Sequence, residues 1–199
     1  IFINGCDYSV PHPIRYRVDH QIEELEAAGL TVQKVNAWEM EKDILRHART
    51  FIIFRCPLSD EVESLIRQAK KLNKRVIYDI DDLVIDTAYT DSIPFVNAMT
   101  AHDKSCYDDG VRRMGETLKL CDCAITTTEG MAEELKKYVP RVYINRNVAS
   151  ESMIDYSNIA IYRRDVLPSL QSSSVLPEDR VPYKRAVERR DEQQKTQEI

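Results

Sequence analysis

Short apolar runs recur along this chain, each followed by a helical pattern, and that alternation restricts the fold more than any other feature. Phe51-Ile52-Ile53-Phe54 is continuous and uncharged, as a strand covered on both faces must be. Ser59 or Asp60 then caps a helix in which Val62, Leu65, Ile66 and Ala69 follow the i, i+3, i+4, i+7 rule. Arg75–Tyr78 is the next strand. The same rhythm runs through the rest of the chain. Ile1–Ile3 reads as a strand, and Arg15–Ala28 as a helix with Val18, Ile22, Leu25 and Ala28 on one face, ended by Gly29. Leu30–Val35 alternates as a strand, and Trp38–Ala48 reads as a helix. Helical patterns follow at about Ile93–Met99 and from about Ser105 to Leu120. Cys123–Thr126 is a fifth strand, Glu129–Tyr138 a helix capped by Thr126 or Thr128, and Val142–Ile144 a sixth strand.

Strands separated by helices imply βαβ units with right-handed crossovers. The expected fold is therefore α/β: a doubly wound, mostly parallel, Rossmann-like sheet of about six strands with helices on both faces. In such sheets a ligand is held beyond the carboxyl ends of the strands, so polar residues there are candidates before any motif is named. The expected domain covers residues 1–162. Beyond it, Pro168, Pro177, Pro182 and Ser172-Ser173-Ser174 read as a linker, and Tyr183–Ile199 as a charged, exposed or docked helix.

A net charge of −5 argues against general affinity for nucleic acid, which needs a basic surface. No apolar run approaches the roughly 18–20 residues that span a bilayer, and Ile1-Phe2-Ile3 has no basic leader before it. The five cysteines fit no zinc pattern and are expected to be reduced thiols, which points to the cytosol. His12, His20, His47 and His102 have no metal spacing. There is no G-x-G-x-x-G, P-loop or G-x-S-x-G, so standard dinucleotide, kinase and serine-hydrolase readings lose support.

The sharpest chemical feature is Tyr78-Asp79-Ile80-Asp81-Asp82-Leu83. Three carboxylates at the end of a buried strand must meet solvent, a partner or a ligand, because unpaired buried charge is costly. They can act as a base, bind hydroxyls or coordinate a cation; the plainer use is to cap the following turn. Arg15 and Arg17 stand where the first loop meets the first helix, and offer forked donors to phosphate or carboxylate, or plain surface charge. Arg55, after Phe51–Phe54, either meets a ligand or forms a salt bridge to Asp79 or Asp81. Thr127 and Glu129 lie between the fifth strand and its helix, suited to capping or to hydroxyl contacts. Asn147, after the sixth strand, caps a turn or holds a sugar or phosphate group.

Arg15-Tyr16-Arg17-Val18, Tyr78-Asp79-Ile80-Asp81-Asp82-Leu83, Ala124-Ile125-Thr126-Thr127-Thr128-Glu129 and Ile144-Asn145-Arg146-Asn147-Val148, in this order, resemble the N-terminal half of bacterial glycosyltransferases with two Rossmann-like domains. These GT-B enzymes often act in polysaccharide biosynthesis. The resemblance covers roughly Ile1 to Tyr162. It implies that this domain holds a glycan or lipid-linked acceptor, while a second, C-terminal domain beyond this chain supplies most of the nucleotide-sugar site. It implies that Asp81 or Asp82 orients or deprotonates the acceptor hydroxyl, and that Arg15 and Arg17 meet the acceptor or the donor's phosphates. It further implies no bound metal or other cofactor, a cytoplasmic location at the inner face of a membrane where the acceptor is lipid-linked, and little sugar transfer by the isolated chain. Ala149-Ser150 replaces the ending of the family's Asn-Gly-Val-Asp turn, and only Gly5 represents its glycine-rich first loop.

Two other classes fit parts of the pattern. Asp79-x-Asp81 after an apolar strand resembles the nucleophile and acid pair of haloacid-dehalogenase-type, Mg²⁺-dependent phosphatases, although three strand–helix units precede it and Leu83 stands where Thr or Val is usual. A non-catalytic Rossmann-like binding module is the other.

Overall fold

The computed structural model describes residues 1–7, 11–41 and 43–165. In chain order the elements are β1 (Phe2–Asn4), α1 (Pro11–Ile14), a π-helical turn (Arg15–Asp19), α2 (His20–Ala27), β2 (Lys34–Asn36), 3₁₀ turns at Ala37–Glu39 and Ile44–Arg46, β3 (Thr50–Phe54) and α3 (Asp60–Lys71). There follow β4 (Arg75–Asp79), α4 (Thr87–Thr90), α5 (Pro94–Asn97), α6 (Ala101–Leu120), β5 (Cys123–Thr126), α7 (Glu129–Leu135), β6 (Val142–Ile144) and α8 (Glu151–Asp165). The six strands form one sheet in the order β2-β1-β3-β4-β5-β6, and every pairing is parallel. The chain winds outward from β1 to β2, returns past β1 to β3, and then continues in the other direction. The switch in strand order therefore falls between β1 and β3.

Side-chain alternation along the strands separates two packed layers. Ile3, Phe51, Ile53, Val76, Tyr78 and Ala124 join Val62, Leu65, Ile66 and Ala69 of α3, Leu118 of α6 and Leu135 of α7 in one core. Phe2 and Phe54, from the alternate positions, pack with Ile14 and Val18 in a second. The helices thus lie on both faces of the sheet, as the βαβ rhythm requires. In α3 the buried residues are the four that the spacing predicts, and Ser59 caps the helix by accepting from the Val62 N–H. Thr128, the second of the two expected caps, does the same for α7.

Three elements depart from expectation. The first helix begins at Pro11 and changes to π geometry at Arg15–Asp19, which turns Arg17 and Val18, and then His20 and Gln21, inward. The second strand lies at Lys34–Asn36 rather than Leu30–Val35. The helix expected over Trp38–Ala48 is replaced by the two 3₁₀ turns. Asn36 is a good capping residue, but its side chain is committed elsewhere: its Nδ2 donates to Glu39 and its Oδ1 accepts from Asn4. With no cap and few apolar positions, the segment has too little to sustain an α-helix.

The chain divides into two units, Ile1–Val148, which holds the whole sheet, and a second beginning at Ala149. The first closes ahead of the boundary expected at residue 162, and the described part of the second is α8. The expected linker and charged tail beyond residue 165 lie outside the described residues. No helix among the described residues is long and apolar enough to cross a membrane.

One core group is out of balance. Tyr78 is fully buried and its hydroxyl has no hydrogen-bond partner among the described residues; burial pushes the phenol well above its usual range. An unpaired buried hydroxyl costs about 1–3 kcal/mol. Tyr78→Phe is therefore expected to raise the unfolding free energy by roughly 1 kcal/mol in denaturant titration, where loss of a useful hydrogen bond would lower it.

Candidate functional site

The register carries polar residues to one level. Asn36, Asn4, Phe54, Asp79, Ile125 and Tyr143 form a row across the six strands, and the residues just beyond them make the carboxyl-end rim. At the switch point β1 and β3 come unusually close: a Cβ on Gly5 would lie 2.3 Å from Cys56 Cα and 2.7 Å from the Arg55 carbonyl oxygen. Gly5, the sole glycine of the first loop, is needed for that approach. Arg55 leaves β3 with a φ of 43°, a left-handed conformation that non-glycine residues seldom hold without support from their side chain.

That support comes from β4. The Arg55 Nε donates to Asp81 Oδ1 at 2.8 Å, and its Nη2 pairs with both Asp81 and Asp82. Burial works against the charge on Arg55, but Asp81 and Asp82 more than offset it, so its pKa rises. The side chains of Arg55 and Asp81 are 15% and 17% exposed, whereas Asp82 is 63% exposed. One cation against two carboxylates leaves this cluster net negative, and Asp82 is its open face. Cys6, from the loop after β1, feels both Arg55 and Asp81; burial nonetheless pushes its thiol up to about 11, so it is a protonated neighbour rather than a nucleophile. Tyr107 of α6 is held above its ordinary range by burial and by the Asp82 carboxylate.

A second cluster is built around a closed pair. Arg17 and Asp79 are both fully buried. The Arg17 Nε and Nη2 donate to the two Asp79 oxygens at 2.9 and 2.8 Å, and its Nη1 donates to the Asn145 carbonyl at 2.7 Å and to Asn147 Oδ1 at 3.0 Å. Gln21 Nε2 adds a long contact of 3.4 Å to Asp79. Burial lifts Asp79 to about 6 against the opposing pull of Arg17, so the pair is ionised at neutral pH. His20 completes the tie between the first helix and the end of β6, with its Nδ1 2.8 Å from the Val148 carbonyl and Tyr16 edge-on to its ring.

The candidates of the sequence therefore separate into groups. Arg55, Asp81 and Asp82 come together on the accessible rim, and the expected salt bridge from Arg55 reaches Asp81. Arg17, Asp79 and Asn147 come together in the second cluster, where Asn147 is exposed but no ligand reaches Arg17 or Asp79 without displacing protein. Arg15 is exposed on the π turn. Thr127 directs its hydroxyl to Met131 Sδ at 3.8 Å, and Glu129 pairs with Arg146 at 2.6 Å on the surface. Sequence reasoning passed over Cys6, Tyr107 and the buried amides Asn4 and Asn36. The strand-end logic applied to Asp79 would have found Asn4, had β1 been extended by one residue; Tyr107 reaches the rim only through the docking of α6. No group of three or more metal-ligating side chains occurs among the described residues. No family model, curated relative or solved structure matches this chain.

Proposed function

We propose that this chain is the acceptor-side half of a two-domain glycosyltransferase, which moves a sugar from a nucleotide-sugar donor to a glycan or lipid-linked acceptor. The observation that carries the reading is the Arg55–Asp81–Asp82 cluster at the carboxyl ends of an all-parallel sheet, beside the switch in strand order, where this architecture holds ligands. Asp82 is the exposed carboxylate that receives the acceptor hydroxyl. Asp81, fixed by Arg55, is the positioning residue behind it. The net negative rim suits a hydroxyl-bearing acceptor and repels phosphate, which is consistent with a donor held chiefly by a second domain. The order of rim segments that resembles these transferases supports the same assignment.

The phosphatase alternative loses support from the geometry. Its nucleophile would be Asp79, which is fully buried and bound at both oxygens by Arg17. A nucleophile so enclosed cannot reach a phosphoryl group.

The test uses the full-length protein, screened for consumption of nucleotide sugars with oligosaccharide acceptors. Asp82→Asn is expected to lower kcat/KM for the acceptor by about 100-fold or more, within the range of roughly 10²–10⁴ for removing a positioned base, with folding unchanged by circular dichroism. Asp81→Asn is expected to act mainly on kcat by releasing Arg55. If the full-length protein turns over no nucleotide sugar, or if both variants retain wild-type kinetics, the proposal fails.

A further inference from the structure

Trp38 is the single tryptophan of the chain, and it is 58% exposed. Its neighbours Val35, Ala37 and Met40 all turn into the main core, while the largest apolar side chain in the segment turns outward. Its place is not an arbitrary part of the surface. Asn36, Asn4, Phe54 and Asp79 stand at one level on β2, β1, β3 and β4. Two residues further along these strands come Trp38 on one side and Asp81 on the other. Three strand spacings separate their backbones, roughly 14 Å along the rim, a length that a short oligosaccharide covers.

The turn that displays the indole is fixed at both ends. Asn36 Nδ2 donates to Glu39 Oε2 at 2.7 Å, across the Ala37–Glu39 turn. Asn36 Oδ1 accepts from the buried Asn4 Nδ2 at 3.0 Å, and the Asn4 amide also holds both backbone groups of Cys6, at 3.0 and 3.1 Å. An exposed aromatic ring on a pinned turn loses little entropy on binding, which makes it a preorganised contact.

We infer that Trp38 is a stacking platform for a sugar ring of a neutral oligosaccharide whose far end reaches Asp82; this rests on the acceptor-side reading above and names the acceptor's second point of contact. The face of an indole is electron-rich, and the C–H groups that line one face of a pyranose are its natural partners. The residues around it select for neutral ligands. Glu39 exposes a carboxylate next in sequence, and the Arg55–Asp81–Asp82 cluster carries excess negative charge, so a phosphate or uronate is repelled while hydroxyls find acceptors.

Trp38 is the only tryptophan of this chain, and the part of the full-length protein's emission that disappears in Trp38→Phe reports on this position. The full-length protein is titrated with cellotetraose, maltotetraose and N-acetylchitotetraose, with UMP as the anionic comparison, and affinities are measured in parallel by calorimetry. The expected result is a saturable emission change with at least one tetrasaccharide, none with UMP, and a loss of affinity of about tenfold or more in Trp38→Ala that Trp38→Phe partly restores, within the range known for aromatic stacking. Wild-type affinity in Trp38→Ala, with Asp82→Asn still weakening transfer, would overturn the platform and leave the transferase reading standing. Binding of UMP but of no tetrasaccharide at Trp38 would also overturn it, in favour of a nucleobase platform. Absence of both tetrasaccharide binding and sugar transfer would remove the two together.

Discussion

Arg17→Met is expected to lower the unfolding free energy by about 3–5 kcal/mol, as is Asp79→Leu, whereas the double substitution recovers much of the loss. Both side chains are completely buried, and the two oxygens of the carboxylate accept from the two nitrogens, Nε and Nη2, along one edge of the guanidinium. Removing either one strands a charge in the interior, and that orphaned charge, not the lost attraction, sets the size of the penalty. Domains of this size have about 5–15 kcal/mol in total, so each single variant loses a large share of it. In the double variant no charge is stranded, and apolar groups fill the space. Chemical denaturation of the two singles and the double closes the cycle. Recovery will be incomplete, because Arg17 also donates to the Asn145 carbonyl and to Asn147, and these acceptors lose their partner. A double variant as unstable as the sum of the singles would mean that the pair is not a unit. The rim variant Asp82→Asn is expected to behave differently, since Asp82 is largely in solvent and surface pairs contribute little to stability.

Two glycines of α6 are expected to respond to alanine with opposite signs. In the middle of a helix Gly→Ala ordinarily stabilises by about 1 kcal/mol, because alanine restricts the unfolded chain and favours the helix. Gly110 has nothing within 4 Å of where its Cβ would stand, so Gly110→Ala is expected to gain roughly 0.5–1 kcal/mol. Gly115 lies against the carbonyl of Ile85, and a Cβ there would be 2.2 Å from that oxygen. The obstacle is backbone, which cannot rotate aside. Gly115→Ala is therefore expected to lose about 2–3 kcal/mol, with overpacking outweighing propensity. The consequence reaches the rim: Ile85 belongs to the segment that follows Asp81 and Asp82, so the displacement is passed toward the candidate site. Thermal melts of the two variants side by side decide it; a stabilised Gly115→Ala would show that α6 does not approach the chain at Ile85 as closely as described.

Local patterns in the sequence determined a good deal of this protein. Phe51–Phe54, Val142–Ile144 and the Val62, Leu65, Ile66, Ala69 face were legible because strand and helix periodicity is a property of neighbouring residues. Polar residues at the ends of buried strands were legible for the same reason, and this brought Arg55, Asp81 and Asp82 into view. The failures share a cause. The helix expected at Trp38–Ala48 is lost to a hydrogen bond between Asn36 and Asn4, thirty-two positions apart in the chain. The π turn at Arg15–Asp19 serves the Arg17–Asp79 pair, whose members are sixty-two positions apart.

Sequence alone thus determined that the chain forms a parallel α/β sheet and which acidic and basic residues stand at its strand ends. Only the tertiary structure decided which of those charges neutralise each other in the interior and which stand on the accessible rim, because Arg17 and Arg55 are alike as letters and differ in what the fold packs over them.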